Sequence, residues 1–246
     1  MQPEPESPQG KKVNLTVYPE QLLQIARGFS CFFWGIPLSL FLAVGLMNVR
    51  LLARIKAPAY VLGILVIYWG LILLKRTKPL EPRWTRHVNQ ALVVVFLLVY
   101  LSPFTEWWKQ MPQVLFFMVN AIVFMICTIG LLVLLTQLAS DVAKALYDQT
   151  FFIEARLCGW SVLLFIVLPI LGLLIYSLLA AFRHETGVAY ELLHVHRLVY
   201  HWWLALALLP FTLTAAIAWK TKERCIEAVK MSSRPPITPP PPADNS

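Results

Sequence analysis

The residues best suited to chemistry lie near the end of the chain. Four of the five histidines, His184, His194, His196 and His201, fall in one short stretch, and Glu191 shares a helix face with His194. Neutral imidazole is a common ligand of metals and haem. The stretch predicts either a metal site at Glu191, His194 and His196 or a haem pair at His184 and His201. The alternative is an interfacial loop whose histidines contact water and lipid headgroups.

Other signatures of catalysis are missing from the sequence. It contains no phosphate-binding Gly-x-x-x-x-Gly-Lys loop, no His-Glu-x-x-His zinc motif and no Gly-x-Ser-x-Gly elbow. Cys31, Cys127, Cys158 and Cys225 form no Cys-x-x-Cys pair and are interpreted as reduced packing thiols. We therefore expect a protein that is not an enzyme and needs no cofactor, unless the histidines bind haem or a metal.

A second candidate segment begins at Glu154. The sequence Glu154-Ala155-Arg156, followed by Gly159 and by Ile166-Val167-Leu168-Pro169, resembles the cytoplasmic EAA loop of ABC-transporter permease subunits across 154–169. Arg156 stands where that family has a small residue. The resemblance implies that an ATPase partner would dock on a loop containing Glu154 and Gly159.

The elements that must position these residues are apolar. Of 246 residues, 58% are hydrophobic and 14% are charged, which excludes an ordinary soluble domain. Uncharged runs cover 28–49, 57–74, 87–105, 110–140, 157–182 and 198–219. Each is long enough for a membrane-spanning helix, and none alternates as a barrel strand does. The sequence predicts an all-α polytopic membrane protein with six transmembrane helices in three helical hairpins.

Three regions follow from these runs. Residues 1–28 form a polar tail with a short helix near 20–27, residues 29–222 form the membrane domain, and residues 223–246 form a Pro-rich tail. The predicted spans are 29–49, 58–74, 88–107, 113–138, 158–182 and 198–219. Between the fourth and fifth spans, apolar residues at helical spacing over 138–146 predict a helix along the membrane surface, with Asp141 on its polar side.

Basic residues indicate the orientation. Most of the 21 lysines and arginines fall in the two tails and in the second and fourth loops, and such segments stay on the cytoplasmic side. Both termini are therefore expected in the cytoplasm of a bacterial cell, with the histidines on the outer face of its cytoplasmic membrane. The second loop, Lys75–Arg86, is expected to contact anionic lipid and not nucleic acid, because membrane flanks it on both sides.

Small residues and prolines suggest how the spans pack. Gly35, Ser39 and Ala43 share one face of span 1, which predicts contact either with span 2 or with another subunit, including self-association. Pro169 and Pro210 lie within spans 5 and 6 and are candidate hinges, although proline is also ordinary in membrane helices.

Three functions follow in order of preference. The first is a non-enzymatic structural, assembly or scaffold subunit of a membrane complex. The second is a transporter or channel permease component, with a gate at the two prolines. The third is a redox protein that uses the outer histidines to bind metal or haem.

Overall fold

The computed structural model describes residues 18–43, 58–77, 79–80, 83–111, 114–165 and 188–232, with the side chains of 109 and 188–207 excepted. Within these ranges the chain is all-helical. The helices are α1 (Pro19–Ala43), α2 (Val61–Lys75), α3 (Trp84–Gln110), α4 (Leu115–Ala145), α5 (149–165, as far as it is described) and α6 (Val188–Ser232).

Three helices are long and apolar enough to cross a membrane. They are Pro19–Ala43, Trp84–Trp108 within α3, and Leu115–Ala145, while Val61–Lys75 is a shorter apolar helix. These lengths meet the requirement of about 20 residues for the hydrocarbon core. The predictions of an all-helical chain and of a membrane protein are confirmed at this level.

The helix boundaries differ from the predicted spans in three places. α1 begins at Pro19, so the segment 20–27 continues into the first span as one helix. Pro19 suits this start because the first turn does not need its missing N–H. α4 extends to Ala145, which absorbs most of the segment expected to form a separate surface helix. α6 extends to Ser232, well beyond the predicted end of the sixth span.

α1 and α2 pack closely in antiparallel directions. A Cβ atom added at Gly63 would lie 2.7 Å from the carbonyl oxygen of Gly35, and one at Gly70 would lie 2.8 Å from that of Gly28. Ser39 also faces Gly63. Of the two predicted contacts for the small residues of α1, with the second helix or with another subunit, Gly35 and Ser39 make the first. Small residues at these positions let the two helix backbones approach.

The remaining contacts bring one end of each helix to a common level. Phe33 of α1 packs on Trp219 of α6, with ring centroids 4.8 Å apart. Phe104 near the end of α3 packs on Phe116 near the start of α4, with centroids 5.6 Å apart, so these helices are antiparallel. Tyr60 before α2 bonds to Ser102 near the end of α3, and Lys220 of α6 bonds to Glu154 near the start of α5. The starts of α1, α3 and α5 therefore lie with the ends of α2, α4 and α6. We call this region the polar end.

The core is densest toward the polar end. Its fully buried side chains include Phe29, Trp84, Leu138 and Phe151. By contrast, the first half of α4 carries exposed apolar side chains, among them Phe116 and Ile126. Large apolar residues pointing outward are expected of a helix that faces lipid or another membrane protein.

Candidate functional site

The predicted histidine site falls largely outside the described residues. His184 lies outside the described backbone, and Glu191, His194, His196 and His201 lie on α6 where the side chains are not described. Among the side chains that are described, no group of three or more His, Cys, Asp or Glu could hold a metal ion. The metal and haem proposals therefore stay predictions.

Of the two proline hinges, Pro169 is also outside the described residues, whereas Pro210 is buried inside α6. The Thr214 hydroxyl donates a 2.8 Å hydrogen bond to the carbonyl oxygen of Pro210. This is the bond that a threonine inside a helix makes to the carbonyl four residues earlier, and it often bends a helix slightly.

The loop residues predicted to dock a partner lie on α5 and contact other helices. The Lys220 ammonium of α6 donates a hydrogen bond to the Glu154 carboxylate, and both side chains remain partly exposed. Gly159 faces Thr136 of α4, where an added Cβ would lie 2.9 Å from the hydroxyl oxygen. Glu154 and Gly159 therefore join α5 to its neighbours, while Arg156 between them is exposed.

The polar end contains a buried hydrogen-bonded pair that no sequence pattern predicts. His87 Nδ1 of α3 lies 2.7 Å from Asp141 Oδ2 of α4, and Asp141 is only 2% exposed. Lys144 Nζ lies 3.8 Å from the other Asp141 oxygen. A buried carboxylate is costly unless it is paired and hydrogen-bonded, so this contact fixes α3 against α4.

A sharp turn joins α4 to α5. Tyr147 has a φ of 56°, the Tyr147 N–H donates to the Lys144 carbonyl, and the Asp148 N–H donates to the Ala143 carbonyl. This is the Schellman ending of a helix, usually made with glycine at the left-handed position. Asp148 then begins α5, since its Oδ1 accepts a 3.0 Å hydrogen bond from the Phe151 N–H.

Asp148 also links α5 to α6. Arg224 Nε lies 3.5 Å from Asp148 Oδ2, and Arg224 Nη1 lies 3.5 Å from Glu227 of its own helix. Together with Lys220 and Glu154, these groups connect the start of α5 to the carboxyl-terminal part of α6. Each exposed pair contributes little alone, about 0–1 kcal/mol, but together they set the register of the helices.

Two cavities accompany these contacts. The first, of about 390 Å³, opens at the polar end between α3, α4 and α5. Its polar lining includes the side chains of Arg83, His87, Gln137, Ser140, Asp141, Lys144 and Arg156. The second, of about 250 Å³, lies among α1, α2, α3, α4 and α6 and is mainly apolar.

Hydroxyl groups border the apolar cavity. The Tyr60 hydroxyl donates a 3.1 Å hydrogen bond to the Ser102 carbonyl and also contacts the Thr105 hydroxyl. Tyr60 and Thr105 line the cavity, and so does Phe211, the residue after Pro210. This cavity can accommodate an apolar group with a few polar contacts.

The reactivity of Cys225 can be used to test how the polar end is packed. Cys225 lies beyond the apolar part of α6, is fully buried, and burial raises the pKa of its thiol to about 12. Since the thiolate is the reactive form, a raised pKa lowers reactivity at every lower pH. In a chain with the other three cysteines changed to alanine, we expect maleimide at pH 8 to react at least about 100-fold more slowly than with a free thiol.

The control for this labelling uses the same helix. Ser232→Cys, combined with Cys225→Ala, places a thiol at the exposed end of α6 and should react rapidly. Unfolding in SDS should make Cys225 react as fast as this control. Equal rates in the folded proteins would contradict the packing described for α6.

The fold and this polar end define an all-helical membrane protein with charged groups gathered at one level of the bundle. Comparison of the chain with models of protein families, with curated proteins and with solved structures finds no match. Its function must therefore be argued from its own residues.

Proposed function

We propose that the protein is a non-enzymatic multi-pass subunit that stabilises or assembles a membrane complex. The single observation that carries this proposal is the set of contacts between carboxylates and basic side chains of different helices at the polar end. Asp141 bonds to His87 of α3, and Asp148 and Glu154 pair with Arg224 and Lys220 of α6. Carboxylates used to join helices suit a static support better than a carrier that must change its contacts.

The proposed topology has six spans in three hairpins, with both termini in the cytoplasm of a bacterial cell. The antiparallel contacts of α1 with α2 and of α3 with α4 support the first two hairpins. The polar end carries most of the described basic residues, including Arg76, Arg86 and Lys222, which supports a cytoplasmic position for it.

The proposal is tested by purification in a mild detergent, with measurement of particle mass and mass spectrometry of the co-purifying proteins. We expect a stable complex with a second copy or with another membrane protein. A monomer that carries no partner at the lowest usable detergent concentration would overturn the proposal. An absorption spectrum of the same sample tests the haem prediction, which requires a Soret band.

A permease component is the second candidate, favoured by the apolar cavity next to Pro210. It makes a different prediction for the same experiment, namely co-purification of an ATPase bound at Glu154. Glu154→Gln should then lose the ATPase, whereas Lys220→Gln should retain it, because both variants break the same ion pair but only the first changes the proposed docking residue. Loss in both variants would assign the effect to the ion pair.

A further inference from the structure

The cavity at the polar end has an excess of positive charge. Arg83 at the N-cap of α3, Lys144 of α4 and Arg156 of α5 line it together with a single carboxylate, that of Asp141. Asp141 is already engaged by His87 and Lys144. The cavity therefore holds more cations than its own acidic group can balance.

Two of these cations have no protein partner in the described part of the chain. Neither the Arg83 nor the Arg156 guanidinium makes a hydrogen bond or ion pair with a described residue, and both side chains are exposed. They come from different helices and open onto one cavity. A guanidinium presents a planar fork of donors that fits two oxygens of a phosphate group.

The wall of the same cavity away from these charges is apolar. Val133 of α4 and Trp160 and Leu163 of α5 are among the apolar lining residues, and Trp160 is 64% exposed. A free phosphate ion has no apolar surface to place against this wall. A lipid would use it, because its acyl chains lie beside its headgroup phosphate at the membrane surface.

We propose that this cavity binds the phosphate headgroup of an anionic phospholipid. Arg83 and Arg156 hold the phosphate oxygens, Lys144 adds positive charge, and the chains lie against Trp160 and Leu163. The His87–Asp141 pair keeps α3 and α4 in place around the headgroup. This binding site does not depend on whether the protein serves as a scaffold, and it differs from general attraction of the second loop to an acidic membrane because it needs specific arginines.

The test is native mass spectrometry of the full chain, titrated with phosphatidylglycerol or phosphatidylcholine. We expect phosphatidylglycerol to bind more tightly, and Arg83→Gln and Arg156→Gln each to weaken it by about tenfold. Arg86→Gln is the matched control, since Arg86 is an exposed arginine in the first turn of α3, three residues after Arg83, and does not line the cavity. It should change the affinity by less than about twofold. Circular dichroism confirms that each variant is folded.

Two further measurements identify the ligand. Trp160→Ala should weaken long-chain phosphatidylglycerol more than a dihexanoyl analogue, because only long chains reach the apolar wall. Inorganic phosphate at millimolar concentration should not displace the lipid. Displacement by phosphate would assign the cavity to a free anion, and an equal loss in Arg86→Gln would reduce the effect to surface charge. Either result would overturn the proposal.

Discussion

Gly63→Ala is expected to destabilise the protein by about 3 kcal/mol, near the upper end of the usual cost of overpacking. The new methyl carbon would lie 2.1 Å from Ser39 Oγ, 2.5 Å from the Ser39 backbone nitrogen and 2.7 Å from the Gly35 carbonyl oxygen. Two of these atoms belong to the backbone of α1 and cannot rotate away. α1 and α2 must therefore separate, which disturbs the packing of Ile36 and Ile67 in the buried core.

Gly130→Ala is the matched control for this change. Gly130 also lies within a helix, but a Cβ there has nothing within 4 Å. It reports the intrinsic gain of alanine over glycine in a helix, about 0.5–1 kcal/mol, so the difference between the two variants isolates the steric cost at Gly63. The measurement is the free energy of unfolding in mixed detergent micelles.

A second variant separates side-chain crowding from backbone crowding. Adding Ser39→Ala to Gly63→Ala removes the contact with Ser39 Oγ but leaves both backbone contacts, so only partial recovery is expected. Full recovery would show that the hydroxyl alone sets the distance. If Gly63→Ala were as stable as Gly130→Ala, the close approach of α1 and α2 would be wrong.

The close packing of α1 and α2 could be predicted in part from the sequence. Gly35 and Ser39 are four residues apart, and this local periodicity is visible before any partner helix is known. The contact of Gly28 with Gly70 could not be predicted in the same way, because Gly28 follows Arg27 directly and stands at the end of the predicted polar tail. The helix instead begins at Pro19, so Gly28 lies inside it and contacts Gly70 and Leu74 of α2.

The His87–Asp141 contact at the polar end could not be predicted from the sequence. His87 and Asp141 are 54 residues apart, and pairing across that separation has no local periodicity to reveal it. Asp141 lies opposite the apolar residues of its helix, which suggests a solvent-facing position on a surface helix. α3 and α5 cover that side, so both faces of the helix are buried there. The turn at Tyr147 was equally hidden, since a tyrosine does not mark a left-handed helix ending as glycine does.

The charges of the polar end divide into two groups with different consequences. The carboxylates Asp141, Asp148 and Glu154 are each paired with a basic group of another helix, so they contribute to the fold. Arg83 and Arg156 contribute no such contact to the described structure and can be changed without breaking one. Stability should therefore respond to the first group and lipid affinity to the second. Loss of lipid without loss of stability would distinguish a binding site from a weakened bundle.

His87→Phe is the second change with a large expected effect. It leaves Asp141 buried without its 2.7 Å hydrogen bond to His87. The Lys144 ammonium, 3.8 Å from the other Asp141 oxygen, remains in place. Leaving a buried charged group without its hydrogen-bond partner costs about 3 kcal/mol, and Lys144 keeps the cost from being larger. Asp141→Asn should cost less, about 1 kcal/mol, because the His87 and Lys144 side chains are 18% and 35% exposed and can be hydrated.

The decisive comparison is the double variant His87→Phe with Asp141→Leu. Replacing both partners of a buried hydrogen bond with apolar groups of similar size is nearly neutral, since no polar group is left unsatisfied. The double variant should therefore be more stable than His87→Phe alone when unfolding is measured in mixed micelles. Costs that simply add would mean that Asp141 is not buried beside His87. In that case α3 and α4 would not meet at the polar end as described.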